Sequence, residues 1–205
     1  MRKFVAISAA AIVTLGVGGT YLWTVINEPA RQFEACSGSQ VAGGAIGGPF
    51  TLVDETGATV TDTEVISGPT LIYFGYTFCP DVCPTDVSRN AIATEILEEQ
   101  GHIVSPVFIS VDPKRDTPER LAEFTDFMHP RMVGLSGSPE QVAAAAKEYR
   151  TVYTIHDDED PEFYLVDHMT FTYLTLPEFG VVDFFRRDAT PENVAARTSC
   201  FINAL

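Results

Sequence analysis

The chain opens on an apolar stretch, Phe4 to Ile26, that carries no charged residue and follows Arg2 and Lys3. Shorter patterns take over beyond it. Phe50 to Val53 and Thr59-Val60 flank a segment that contains Gly57, which predicts an opening hairpin. Two nearly unbroken apolar runs, Leu71 to Gly75 and Pro106 to Val111, read as buried strands. Between them Val87, Ala91, Ile92, Ile96 and Leu97 recur at helical spacing and predict a helix from Pro84 to about Glu99. Three more helices announce their starts as Thr117-Pro118-Glu119, Ser138-Pro139-Glu140 and Thr190-Pro191-Glu192. In each, a hydroxyl accepts an orphan amide, proline tolerates the first helical position, and glutamate complements the positive end of the dipole. They predict helices over 118–128, 139–149 and 191–202. Phe163 to Leu176 and Val181 to Arg186, joined through Pro177-Glu178-Phe179-Gly180, read as a closing strand pair. Strands alternating with helices and followed by a late hairpin describe an α/β layer fold with a mixed sheet.

The opening apolar stretch is long enough to span a bilayer, whose hydrocarbon core needs about 20 helical residues. A cleaved signal peptide is the rival reading, but its apolar region is usually about 7 to 15 residues and ends at a small-residue site. Here Ser8-Ala9-Ala10-Ala11 comes too early for such a site, while Tyr21 and Trp23 sit near the far end, where interfacial aromatics belong. Arg2 and Lys3 then stay on the cytoplasmic side and residues from about Asn27 onward lie outside. The expected organisation is an N-terminal membrane anchor over 1–27, a Gly- and Ser-containing approach over 28–49, and one globular domain over 50–205. That geometry places the domain on the periplasmic face of a bacterial-type inner membrane, or in the equivalent intermembrane space, which is an oxidising compartment.

Charge narrows the partners. The 205 residues carry 28 Asp and Glu against 13 Lys and Arg, a net charge of −15, which argues against nucleic acid. The densest acidic run, Asp157 to Asp160 followed by Glu162, reads first as a solvated loop. No Gly-rich phosphate loop, HExxH or nucleophile elbow is present.

The chemistry concentrates in Phe74-Gly-Tyr-Thr-Phe-Cys79-Pro-Asp-Val-Cys83-Pro84, at the junction of a predicted strand and helix. Cysteines four apart share one helix face, about 5 to 6 Å apart at Cβ. A helix N-terminus favours the thiolate that metal ligation or disulfide exchange requires. Two converging thiolates suit a soft ion such as Cu(I), and a third donor is wanted. Of the four histidines, His102, His129 and His156 read as surface residues, whereas His168 follows the apolar Tyr164-Leu165-Val166 at the mouth of a strand.

The runs YFGYTFCPDVCPTDV (Tyr73 to Val87), FISVDPKRDTPERL (Phe108 to Leu121) and YLVDHMTFTYLTLPEFG (Tyr164 to Gly180) together resemble the Sco/SenC family of membrane-anchored copper proteins. The resemblance extends from about Phe50 to Phe201. It implies a thioredoxin-like fold, copper as Cu(I) or Cu(II), and a metal site of Cys79, Cys83 and His168. Asp81, between the cysteines, is a candidate for tuning that site electrostatically and Asp167 for orienting the adjacent loop, with a solvated side chain the alternative for each; Met169, next to the histidine, is read as a gap-filling side chain. The implied function is copper delivery to the dinuclear centre in the second subunit of cytochrome c oxidase. A periplasmic copper chaperone or a thioredoxin-like reductase is an implied further partner. The rival is a thiol–disulfide oxidoreductase that cycles Cys79 and Cys83 to reduce the acceptor's cysteines. Thioredoxin-type reductases keep a cis-proline opposite the cysteine pair, where this chain has Asp167-His168-Met169 and no proline until Pro177.

Cys36 and Cys200 lie outside these motifs. In an oxidising compartment an even leftover pair suggests a staple between the approach and the last helix; two free thiols, or a Cys36 pairing between chains, are the alternatives.

Overall fold

The computed structural model describes residues 46–157 and 162–205, together with Gln32, Phe33, Ala35, Cys36 and Asp160. The apolar stretch Phe4–Ile26 lies outside the described residues, as does most of the approach before Ile46. Among the described residues no helix is long and apolar enough to cross a membrane.

The order of elements is β1 (Thr51–Asp54), β2 (Thr59–Thr61), the short α1 (Asp62–Val65), β3 (Thr70–Gly75), α2 (Val82–Glu99), β4 (Ser105–Ser110), α3 (Pro118–Met128), β5 (Val133–Ser136), α4 (Pro139–Glu148), β6 (Tyr153–Ile155), β7 (Val166–His168), β8 (Thr172–Leu176), β9 (Gly180–Phe185) and α5 (Pro191–Asn203). Seven strands form one mixed sheet in the order β2-β1-β5-β4-β3-β8-β9. Strands β3, β4 and β5 run parallel, and their neighbours β1 and β8 run antiparallel to them. Strand β3 sits near the centre, and every one of its six residues is buried, as an unbroken apolar run between two paired strands requires. The edge strand β9 instead alternates buried and half-buried positions.

The three Ser/Thr-Pro-Glu starts behave as their chemistry dictates. Thr117, Ser138 and Thr190 each accept the amide of the third residue along, and Pro118, Pro139 and Pro191 open the helices. Helix α2 begins at Val82, two residues ahead of the predicted start, so Cys83 already lies inside the first turn. At the far end of α2, His102 hydrogen-bonds Ser199 near the end of α5. Cys36 is joined to Cys200 by a disulfide at this same end, with the Cα atoms 5.6 Å apart, and Phe33 is buried there beside Phe179 and Phe201.

Three expectations need correction. The predicted strand Phe163–Leu176 is two strands: β8 enters the sheet beside β3, while β7 leaves it and pairs with β6. Strands β5 and β6 went unforeseen because they are only four and three residues long, and β5 contains Gly134, a poor strand former. His129 is not a surface residue. It is 3% exposed, its Nδ1 accepts the Arg131 amide, and its Nε2 faces Glu98 at 3.3 Å, so hydrogen bonds offset its burial. His102 is half-buried, and only His156 is exposed as expected.

Candidate metal centre

Cys79 ends the turn after β3, and Cys83 follows one helical turn later in α2. Gly75 is what allows this close approach: a Cβ there would lie 3.0 Å from Cys83 Sγ and 2.9 Å from side-chain atoms of Phe108 and Tyr73. Cys83 is fully buried and Cys79 is 7% exposed. Both are free thiols.

His168 arrives on β7, 85 residues away, and its Nε2 lies 3.2 Å from Cys83 Sγ. Its Nδ1–H donates to the Met169 carbonyl at 3.1 Å, which turns Nε2 toward the sulfurs. The rings of Tyr73 and Tyr76 meet the imidazole edge-on, with centroids 6.1 and 5.8 Å away. Cys79 Sγ, Cys83 Sγ and a His168 nitrogen all lie within 4.8 Å of one another, and among the described residues no other cysteine, histidine or carboxylate joins them. A shallow cleft of about 250 Å³ opens onto the centre between Pro80, Asp81 and Val82 on one side and Leu165 to His168 on the other.

The two sulfurs differ electrostatically. The Cys83 thiol donates to Cys79 and holds its pKa far below the ordinary thiol value, against the opposing effect of burial; His168 and the amides of Cys83 and Asp81 add to this. The Cys83 amide lies 3.3 Å from Cys79 Sγ. Cys83 is pushed up by its bond to Cys79 and by burial. Because the Cys79 pKa is lowered, its thiolate persists as pH falls below the ordinary thiol value of about 8.5. In the reduced, metal-free protein, iodoacetamide should therefore modify Cys79 at pH 6 and leave Cys83 intact. Peptide mapping that found the two equally slow at pH 6 and equally fast at pH 9 would contradict this asymmetry.

The other predicted residues separate cleanly. Asp81 is the exposed N-cap residue of α2 and lines the cleft, but its side chain makes no capping bond. Asp167 points outward to His156, 2.8 Å away, on the β6–β7 ribbon. Met169 is half-buried and serves His168 through its backbone carbonyl.

Sequence reasoning singled out the run Phe108 to Leu121 as a motif but gave Asp112, Arg115 and Asp116 no role, and segment 111–117 grips both halves of the centre. Asp116, 1% exposed, accepts from the Thr77 amide at 3.0 Å, the Thr77 hydroxyl at 2.6 Å and the Ser110 hydroxyl, fixing the cysteine turn. Asp112, fully buried, accepts from the Tyr164 hydroxyl at 2.6 Å and from Arg115 Nε at 2.5 Å. The available signal was the charged run Asp112-Pro-Lys-Arg-Asp116 directly after a buried strand, a poor place for charge unless it is paired.

A mixed sheet with a cysteine pair at the strand–helix junction defines a thioredoxin-like protein, and here an imidazole faces that pair. The SCO1/SenC family model matches residues 39–203, and the chain belongs to that family. It is 54% identical to Protein SenC of Rhodobacter capsulatus over 204 residues, 99% of this chain and 92% of that protein. Among solved structures, it resembles copper-bound ScoI of Arabidopsis thaliana at 38% identity and a TM-score of 0.73, covering 78% of this chain and all of that one. It also resembles yeast Sco1 with copper bound at 32% identity and a TM-score of 0.74, covering 78% of this chain and 90% of that one.

Proposed function

We propose that this chain is a membrane-anchored copper chaperone that holds copper on Cys79, Cys83 and His168 and passes it to the dinuclear centre of cytochrome c oxidase. The observation that carries this reading is the convergence of two sulfurs and one imidazole nitrogen within 4.8 Å. Donor atoms that share one ion lie within about twice a metal–sulfur distance of about 2.3 Å, so little rearrangement is needed. Thiolate and imidazole are soft and borderline donors suited to copper. Structural zinc sites take four protein donors. A three-donor centre beside an open cleft instead leaves room for an acceptor's ligands to displace its own one at a time. The copper-bound state of the two solved relatives and the resemblance of all three motifs support the same reading.

The anchor rests on the apolar stretch Phe4–Ile26. The disulfide fixes Cys36 beside the end of α5. The metal centre lies at the opposite end of α2, whose 18 residues span about 27 Å. The anchor keeps the domain near a membrane-bound acceptor and raises its effective concentration.

One observation favours a second activity in the same site: the outer Cys79 is the stabilised thiolate and the buried Cys83 its proton-bearing partner. This is the asymmetry of an attacking and a resolving cysteine in disulfide exchange. The two readings separate on metal stoichiometry. Full-length protein in detergent, titrated with Cu(I) and Cu(II) while free thiols are counted, should bind one copper per chain with both site thiols protected. It should also resist carbonate extraction from membranes. Disulfide formation on titration, with no copper retained, would replace the chaperone reading with the oxidoreductase one.

A further inference from the structure

His168 has a weak hold on the sheet that carries the cysteines. Among the described residues its strand, β7, pairs only with β6, and the three-residue β6 belongs to no other sheet. One link to the cysteine turn is direct, since the Val166 backbone at the start of β7 bonds Tyr76. Further contacts converge on Arg115, whose side chain is 10% exposed. Its Nε donates to buried Asp112, and its Nη1 donates to the Tyr164 carbonyl at 2.9 Å. Its guanidinium carbon lies over the Tyr164 ring, 3.5 Å from the centroid, and over the ring of Phe78, the residue before Cys79, at 4.8 Å. The Tyr164 hydroxyl returns to the other oxygen of Asp112. Tyr164 thus closes a ring of three side chains two residues ahead of β7. Arg115 Nη2 is buried without a hydrogen-bond partner, so ring faces hold the outer part of the guanidinium.

We propose that Arg115 is the positioning residue that sets the approach of His168 to the cysteine pair, and so decides whether copper meets two donors or three. This deepens the copper reading and rests on it for the metal, although the latch itself is a property of the metal-free chain. Asp116 acts separately, since its hydrogen bonds go to Thr77, in the cysteine turn, and to Ser110. Segment 111–117 therefore holds the sulfur half with one carboxylate and the nitrogen half with the other. Release of the Arg115 latch frees the imidazole while leaving the thiolates in place, which orders the loss of ligands to an acceptor.

Arg115→Lys keeps a cation beside buried Asp112 but removes the planar fork and the stacked face. Tyr164→Phe keeps the ring and deletes only the bond to Asp112. In full-length protein, both variants should retain Cu(I) affinity within about threefold and lose Cu(II) affinity by about tenfold or more, the loss typical of outer-shell partners. The thiolate-to-Cu(II) absorption band should weaken in parallel. In the reduced, metal-free variants, amide hydrogen exchange over residues 164–169 should accelerate severalfold while exchange over β3 stays unchanged. Equal losses for both copper states, accompanied by faster exchange throughout the sheet, would reduce Arg115 to a general stabiliser and overturn the proposal. An unchanged Cu(II) to Cu(I) ratio with unchanged exchange over 164–169 would overturn it too. If the parent binds no copper, the copper reading falls, and the exchange measurement still decides whether the latch exists.

Discussion

His168→Ala is expected to leave a protein that binds Cu(I) on two thiolates, fails to hold Cu(II), and cannot metallate the oxidase. The imidazole contributes one of three converging donors, with its Nε2 3.2 Å from Cys83 Sγ. Cu(I) persists on two sulfurs, whereas Cu(II) calls for nitrogen or oxygen as well, so the two states should diverge. The loss for Cu(II) should exceed the ~10–100-fold cost of removing an outer-shell partner, because here a ligand itself goes. The substitution also tests the rival activity. Both thiols remain, and Cys83 remains the largest cause of the lowered Cys79 pKa, so disulfide exchange should continue at a rate near that of the parent. Loss of the thiolate-to-Cu(II) band and of a metallated dinuclear centre, with exchange retained, would separate delivery from reduction. A His168→Ala protein that binds both copper states like the parent and supports oxidase assembly would sink the copper site as drawn. The Cys79→Ser and Cys83→Ser variants should abolish both activities and cannot make this distinction.

Replacing Cys36 and Cys200 together by serine should produce the largest loss of stability. The bond closes a loop of 164 residues in sequence separation. Loop entropy alone assigns such a cross-link about 5 kcal/mol, near the top of the measured range, with about 3 to 5 kcal/mol the realistic expectation. For a domain of this size that corresponds to a fall of roughly 10 °C in Tm. Phe33, buried against Phe179 and Phe201, loses its restraint at the same time. Because the bond lies at the far end of α2 from the cysteine pair, copper stoichiometry should stay at one per chain below the new Tm. A melting curve displaced by less than about 2 °C would mean that the unfolded chain is already restricted by other means.

Much of the fold is legible in local chemistry. Hydroxyl, proline and glutamate at three helix starts act within one turn, and the structure places those helices within a residue of the expectation at each end. The unbroken run Leu71–Gly75 becomes a fully buried strand because burial on both faces leaves no polar position to reveal. The same logic fails for Phe163–Leu176. Its apolar content is continuous, yet nothing local distinguishes residues that pair with β3 from residues that pair with β6. That choice is made by hydrogen bonds to partners far off in sequence. His129 misled for a related reason: a lone histidine near a proline reads as exposed until Glu98, 31 residues earlier, is brought beside it.

The sequence by itself determined the chemistry available to this protein: two cysteines on one face of a helix start, a histidine in a distant motif, a leftover cysteine pair, and a leading apolar stretch. These are properties of residue type and short-range spacing, which covalent geometry carries unchanged into any fold. Only the tertiary structure decided how closely His168 approaches the sulfurs, that the leftover cysteines join at the opposite end of α2, and that Asp112, Arg115 and Asp116 hold the two halves of the centre together. Those outcomes depend on burial. A carboxylate or guanidinium withdrawn from water must find partners wherever the packed chain supplies them, and such partners are set by topology instead of by neighbours in sequence.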